Sequence, residues 1–281
     1  MTVHSALPAA LTAAVAQVMS AAGVPHEAHG ERDAVEAGAR GFGSVGAGVD
    51  RPVALGGCGR DPRGDSPRWV GAPAPLATWV GVTRDDEPGC EHAARHRGTV
   101  LRMVARDRVV AERIADRLRA QSKTALVVAG EHAYGRQLDE QLAAAGLART
   151  DDRTRADVVV LAGLEGEAEI DRAAALSPLP VIAFDGVQGA PLGEARDVQL
   201  AVPIAPRAGI DPQDLFAGVE SARNAAELVE DAFARGARDR AAMLAALRES
   251  GRFDEFGDPV EPAVWLWRAD ERWRLEPHEG I

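Results

Sequence analysis

The chain has 281 residues, of which 46% are hydrophobic, and a formal net charge of −11 at pH 7. A chain of this length can bury a substantial core and lies near the size at which one core divides into two. The negative charge argues against a nonspecific nucleic-acid surface, because binding phosphates requires a field of the opposite sign. No stretch approaches the ~20 apolar residues that span a bilayer. We therefore expect a globular protein that binds no nucleic acid and has no membrane span.

The amino terminus shows no export signal, since no basic segment precedes the alanine-rich stretch from Leu11 to Ala22. We predict an amphipathic helix there and expect the chain, as written, to stay in the cytoplasm. The two cysteines, Cys58 and Cys90, lack metal-type spacing. Idle thiols are expected in a reducing compartment, with a disulfide between them as the alternative. No cofactor and no metal are predicted.

The first hundred residues are dense in glycine and proline, so loops are predicted to dominate this part of the chain. The glycine-rich run from Gly41 to Gly48 lacks the Lys-Ser/Thr ending of a phosphate-binding loop, and we interpret it as a flexible connector. Short elements are predicted on either side of it: an edge strand at Gly23–His29, a helix at Asp33–Ala39, and strands at Arg51–Gly57, Trp69–Val70 and Thr78–Val82.

A strand–helix–strand unit forms the clearest pattern in the chain. The apolar run Thr124–Ala129 is typical of a strand covered on both faces, and Gly130 ends it. Helical spacing follows from Gly135, with Gly146 at the helix end. A second apolar strand, Ala156–Gly163, completes a βαβ unit.

The elements around this unit continue the alternation of strands and helices. A strand at Thr99–Val104 is followed by Asp107 as a helix cap and by a helix over Val109–Ala120. The segments after the unit are a helix at Glu167–Leu176, strands at Leu179–Phe184 and Val198–Ile204, helices at Leu215–Arg235 and Asp239–Glu249, and a strand at Trp265–Arg268. Trp265, Trp267 and Trp273 are expected to pack on the domain that contains this last strand.

The loop Glu131–Tyr134 follows the carboxyl end of a strand, where ligands collect in open α/β sheets. Tyr134 is the only tyrosine, and it combines an aromatic face with a hydroxyl that can shape a pocket and donate a hydrogen bond. The alternative is a tyrosine that stacks on its own helix and has no further role.

No catalytic motif is present: there is no Gly-x-Ser-x-Gly elbow and no HExxH. His26 and His29, and separately His92 and His96, are spaced closely enough to be imagined as metal ligands. We interpret both pairs as polar surface residues, because a metal site also needs second-shell support. No catalytic residue is predicted, and the protein is not expected to be an enzyme.

The order of these segments resembles a known family. Leu101-Arg102-Met103, then Asp107, a helix, and a strand leading to Tyr134-Gly135 are similar to the core of type I periplasmic binding proteins. The group it most resembles is the leucine/isoleucine/valine-binding family of ABC transporter solute receptors, in a diverged and shortened form. The resemblance extends from about Thr99 to Trp267 and includes Asp185-Gly186 and the turn Gly236–Arg240.

The resemblance implies an α/β fold of two Rossmann-like lobes with parallel sheets joined by a three-stranded hinge. Lobe 1 is expected to contain residues 1–104 and 211–250, without the family's first strand, and lobe 2 residues 105–205 and 255–281. A small polar ligand, an amino acid or a related molecule, is then expected in the interlobe cleft. Family members are usually exported, lipid-anchored and partnered by an ABC permease, so a permease is the implied partner if the chain is exported.

The resemblance also implies which residues bind the ligand. Tyr134 lies where the family has a tyrosine in contact with the ligand, and Asp185 lies near the carboxylate that holds the ligand ammonium. In lobe 1, the hydroxyl positions fall on Thr78 or Thr83, and Cys58 stands in the glycine segment. The remaining candidates are Arg102, from the family core, and Leu164, at the position of an aromatic that covers the ligand.

Two alternatives to a transport receptor stay open from the sequence. The first is a cytoplasmic ligand sensor or protein-interaction scaffold that retains the fold without transport, which predicts an exposed apolar patch. The second is an enzyme of unrecognised type, which requires titratable groups with perturbed pKa values at the site.

Overall fold

The computed structural model describes two compact units. Unit 1 contains Met1–Val104 and Asp214–Glu261, and unit 2 contains Ala105–Gln213 and Pro262–Ile281. The structure describes residues 3–6, 17, 20–21, 26–28, 43–46, 105–131, 133–163, 166–176, 178–188, 190–192, 197–203, 205, 219–238, 240–254, 259–270, 272 and 274–281.

Unit 1 contains a three-stranded parallel sheet in the part of the chain that the structure describes. Strand β1 (Val3–Ala6) lies in the middle, between β2 (His26–Ala28) and β3 (Gly43–Gly46). The edge strand predicted near His26 is confirmed. The connector predicted over Gly41–Gly48 is wrong, because residues of this run pair with β1 along its whole length. The hydrogen bonds between β3 and β1 outweigh the low strand propensity of glycine. Strand β1 was not predicted from the sequence.

Two helices of unit 1 have bounds that the structure describes. They are α4 (Val219–Ala234) and α5 (Arg240–Arg248), close to the predicted bounds. The turn between them places Gly236 at φ +97°, a conformation that glycine adopts without steric cost. Arg238 covers the Phe233 ring with its guanidinium carbon 3.8 Å from the ring centre, so the helix end is packed as well as hydrogen-bonded.

Unit 2 is built on a six-stranded sheet in the order β4-β5-β6-β7-β8-β9. The strands are β4 (Ala125–Ala129), β5 (Val158–Ala162), β6 (Val181–Phe184), β7 (Val198–Val202), β8 (Trp265–Ala269) and β9 (Leu275–Gly280). The first four run parallel, and β8 and β9 add as an antiparallel pair. Strand β9 was not predicted.

Three α-helices pack in the described part of unit 2: α1 (Asp107–Ala120), α2 (Ala133–Ala144) and α3 (Ala168–Leu176). Helices α2 and α3 contact β4 and β5, while α1 contacts α2 and β7. The buried positions of α1 recur at helical spacing, at Val110, Ile114 and Leu118, which explains why its sequence predicts a helix. The βαβ unit of β4, α2 and β5 is confirmed by the parallel pairing of the two strands.

Two details of unit 2 differ from the predictions. Arg106 is the residue that caps α1, so Asp107 lies in the first turn, where a carboxylate interacts favourably with the helix dipole. Strand β4 was predicted to be covered on both faces, but only Ala125 in it is fully buried, and it lies at the edge of the described sheet. An apolar run cannot distinguish these positions, because half-buried and fully buried strands both favour Leu and Val.

Candidate functional site

The candidate site lies where the parallel strands of unit 2 end. Gly130 follows β4, Gly163 follows β5 and Asp185 follows β6, and helices α2 and α3 begin at the same edge. We call this set of strand ends and first helical turns the carboxyl edge. Loops and helix starts at such an edge are the usual place for ligands in open α/β sheets.

Tyr134 lies in the first turn of α2, so the prediction of a loop over Glu131–Tyr134 is wrong for its last two residues. Helix α2 begins at Ala133, two residues before the predicted start at Gly135. The Tyr134 side chain is buried, with 6% of its surface exposed. A fixed backbone and a buried ring hold this residue in one position.

The pKa of the Tyr134 phenol is raised well above its usual value of 10.0. Burial is the main cause, because it disfavours the charged phenolate. The negative charges of Asp107 and Asp185 raise the pKa further. The hydroxyl therefore remains protonated at neutral pH and is available as a hydrogen-bond donor and acceptor.

Asp185 begins a 3-10 turn, Asp185–Val187, directly after β6. Its backbone oxygen accepts a hydrogen bond from the Gln188 N–H at 3.1 Å, and Val187 behind it is buried. Asp185 itself is exposed. The structure thus places an exposed carboxylate at the edge where it acts electrostatically on a buried tyrosine, and these are the two ligand-binding candidates of unit 2 that the structure describes.

Close packing of glycines sets the start of α2 against the end of β4. A Cβ on Gly135 would lie 2.6 Å from both the backbone N and the backbone O of Gly130. Real Cβ atoms do not approach backbone atoms this closely. Glycine at position 135 therefore lets the helix begin directly on the strand end and places Tyr134 at the carboxyl edge.

Replacing Gly135 by alanine is expected to lower the free energy of unfolding by about 1–3 kcal/mol, the usual cost of overpacking. Helix propensity alone would favour alanine by about 1 kcal/mol, so a net loss requires the clash with Gly130 to dominate. Urea unfolding followed by circular dichroism measures the change. Gly280→Ala is the comparison, because the atoms nearest to its Cβ would be those of the Trp265 ring, at 3.3 Å or more, with no backbone atom among them. A Gly135→Ala protein as stable as the Gly280→Ala protein would show that the contact is not tight.

The other predicted ligand-binding residues lie outside the residues that the structure describes. They are Thr78, Thr83, Cys58, Arg102 and Leu164. Their roles stay predictions. Of the histidines considered as metal ligands, His26 lies in β2, and the other three are outside the described residues.

Two acidic residues at the carboxyl edge were not predicted as site residues. Asp107 was interpreted only as a helix cap, yet its charge acts on Tyr134. Glu167 was interpreted only as the start of a helix, yet its side chain is buried, with 9% exposed. The available signal was topological: Asp107 begins α1 and Glu167 directly precedes α3, two helices whose amino ends lie at the same edge as the strand ends. Among the described residues, no group of three His, Cys, Asp or Glu side chains is arranged to hold a metal ion.

The fold of the chain is shared by solved structures of substrate-binding proteins. One is an ABC transporter substrate-binding protein from Desulfitobacterium hafniense in complex with Leu, with 15% identity over 99% of each chain and a TM-score of 0.65. Another is a branched-chain amino-acid ABC transporter protein from Thermus thermophilus with bound valine, with 12% identity over 100% of this chain and 95% of that one, and a TM-score of 0.61. A type 1 periplasmic binding protein from Bordetella pertussis has 16% identity over 99% of each chain and a TM-score of 0.60.

These likenesses confirm the predicted fold class, that of type I periplasmic binding proteins. The sequence itself matches no protein-family model and no curated protein. In the part of the chain that the structure describes, every helix is too short or too polar to cross a membrane.

Proposed function

We propose that the protein binds a small polar ligand, an amino acid or a related molecule, at the carboxyl edge of unit 2. The observation that carries this proposal is Tyr134, a buried tyrosine at the carboxyl edge that is acted on by the charges of Asp107 and Asp185. A tyrosine whose pKa is raised by burial and by two carboxylates at a strand-end edge has the perturbed environment that is typical of binding sites.

The two side chains provide complementary chemistry for an ammonium group. A buried ammonium needs a carboxylate or several acceptors to offset its desolvation, and Asp185 supplies the carboxylate. The protonated Tyr134 hydroxyl accepts from the ammonium or donates to a neighbouring oxygen of the ligand. In this proposal Thr78 and Thr83 provide the hydroxyls for the ligand carboxylate, with Cys58, Arg102 and Leu164 as further contacts.

The known structures support an amino-acid ligand. Two proteins of the same fold were solved with Leu and with valine bound. We propose accordingly that the protein acts as a solute receptor and not as an enzyme, and that an exported form delivers its ligand to an ABC permease. Because the sequence identity to these proteins is low, the residues that determine ligand specificity are proposed from this chain and not from theirs.

A thermal-shift screen tests the proposal. The purified protein is melted with L-leucine, L-valine, polar and basic amino acids, small amides and aromatic acids. A ligand at about 100 times its dissociation constant should add roughly 2.7 kcal/mol to the stability, which is a measurable shift. Tyr134→Phe and Asp185→Asn are melted in parallel and are expected to lose most of the shift.

Glu140→Gln is the matched control for the loss of one negative charge, because Glu140 is exposed on the same helix as Tyr134. The control should keep the full shift. A compound that stabilises the wild type and both site variants equally would place its binding site away from the carboxyl edge. If no compound shifts the wild type, the receptor function is contradicted.

A further inference from the structure

We propose that Glu167 is a positioning residue for Tyr134, acting through Gly130 and Gly135. The inference rests on the proposed function, in which Tyr134 contacts the ligand. It assigns the tyrosine's placement to a stack of three groups at the carboxyl edge: the Glu167 carboxyl group, the Gly130 backbone and the Gly135 backbone.

The first contact of the stack joins Glu167 to Gly130. The Glu167 carboxyl group occupies the space where a side chain at position 130 would begin, so a Cβ there would lie 2.6 Å from Oε1 and closer still to Oε2. Gly130 is itself fixed, because its N–H donates to the Ala162 oxygen at 2.9 Å, and this bond extends the pairing of β4 with β5. The carboxyl group therefore lies over a strand end that is held by pairing with β5.

The second contact joins Gly130 to Gly135, on α2. A Cβ on Gly135 would lie 2.8 Å from the Gly130 Cα, so α2 begins in direct backbone contact with the strand end. Tyr134 immediately precedes Gly135. Any displacement of the Gly130 backbone must therefore move Tyr134 relative to the carboxylates around it.

The backbone of Glu167 is held firmly enough for its side chain to act as a support. Its carbonyl oxygen accepts from the Asp171 N–H at 2.9 Å, inside α3. The preceding residue, Gly166, has φ +79° and donates its N–H to Asp171 Oδ1 at 3.1 Å. These bonds fix the start of α3, and the buried side chain of Glu167 extends from it onto Gly130.

Experiments can separate the charge of Glu167 from the steric support that its side chain gives to Gly130. The charges that raise the pKa of the Tyr134 phenol are those of Asp107 and Asp185. Glu167→Gln keeps the shape and removes the charge, so it should leave the tyrosine's environment intact. Glu167→Ala removes the support, and Gly130→Ala pushes the carboxyl group off the strand end.

Because Tyr134 is the only tyrosine among 281 residues, its ionisation is read directly from the ultraviolet difference spectrum during an alkaline titration. The five tryptophans do not ionise. In Glu167→Ala and Gly130→Ala, we expect the tyrosine to ionise at a pH lower by about one unit or more, since it loses part of its burial. In the double variant, the alanine methyl takes up space that the carboxyl group leaves, so the midpoint should return toward the wild type.

Glu169→Ala is the matched control, because Glu169 is an exposed glutamate in α3, two residues after Glu167. It should titrate like the wild type, and circular dichroism at each pH shows whether the fold persists. If Glu167 only stabilises the start of α3, Glu167→Ala will melt earlier while its tyrosine titrates as in the wild type. That result, or a double variant no closer to the wild type than Gly130→Ala, overturns the proposal.

The result of the tyrosine titration does not depend on ligand binding. If Gly130→Ala does not fold, recovery of the fold in the double variant supports the stack, and an unfolded double variant contradicts it. L-leucine binding, measured in parallel by calorimetry, separates the two claims. Failure of every screened compound to bind the wild type contradicts the receptor function but leaves the titration result unaffected.

Discussion

Replacing Trp267 by alanine is expected to lower the free energy of unfolding by about 3–5 kcal/mol, the usual cost of truncating a buried tryptophan. Trp267 lies in the middle of β8, is only 3% exposed, and is paired with Leu200 of β7 and Pro277 of β9. Its loss leaves a cavity where the antiparallel pair joins the parallel sheet. Denaturant unfolding, followed by circular dichroism, measures the change.

Two further substitutions calibrate this loss. Trp265→Ala should cost less, because Trp265 is only half-buried. Trp267→Phe should also cost less than Trp267→Ala, since it keeps an aromatic ring and removes an indole N–H that is buried without a hydrogen-bond partner among the described residues. A loss near zero for Trp267→Ala would place the ring on the surface and contradict the assignment of β8 to the core of unit 2.

Above pH 10, stability is expected to fall steeply, by up to about 1.4 kcal/mol per pH unit. The pKa of Tyr134 is raised in the folded protein, so below the unfolded-state value near 10 the phenol is neutral in both states and the stability is unaffected. Above that pH the unfolded chain loses the phenol proton, which lowers its free energy, while the folded chain retains the proton, so the free energy of unfolding falls. The loss continues until the pH reaches the pKa of the folded state.

Tyr134→Phe should remove this component of the pH dependence. The comparison is clean because Lys123 is the only lysine and Tyr134 the only tyrosine, so few other groups titrate in this range. Urea unfolding at a series of pH values between about 9 and 12 measures the slope for both proteins. Identical slopes would show that Tyr134 is not buried in the native state.

Much of unit 2 follows from local sequence. Buried strands such as β5 and β6 are continuous apolar runs, and α1 and α2 repeat their apolar residues at helical spacing, so their type and approximate bounds are predictable. What failed depends on contacts between distant segments. The glycine-rich β3 becomes a strand only because β1 pairs with it. The edge position of β4 depends on which strand lies beside it, which no local pattern records.

The site was predictable only in part. A tyrosine after one strand and an aspartate after another predict residues at one edge, because parallel strands end together, and the structure places Tyr134 and Asp185 there. Glu167 could not be found this way. Its importance comes from a glycine 37 positions earlier, whose missing side chain leaves room for the carboxyl group. Such a contact exists only once the two strands are paired.

The nuclear magnetic resonance signal of Tyr134 tests the central claim most directly, since ring-labelled tyrosine produces one labelled residue in this chain. The compound that gives the largest thermal shift is titrated into the wild type and into Asp185→Asn. We predict a saturable change in the tyrosine signal for the wild type and a weaker affinity for the variant. A compound that binds while the tyrosine signal stays unchanged would contradict a ligand site at the carboxyl edge of unit 2.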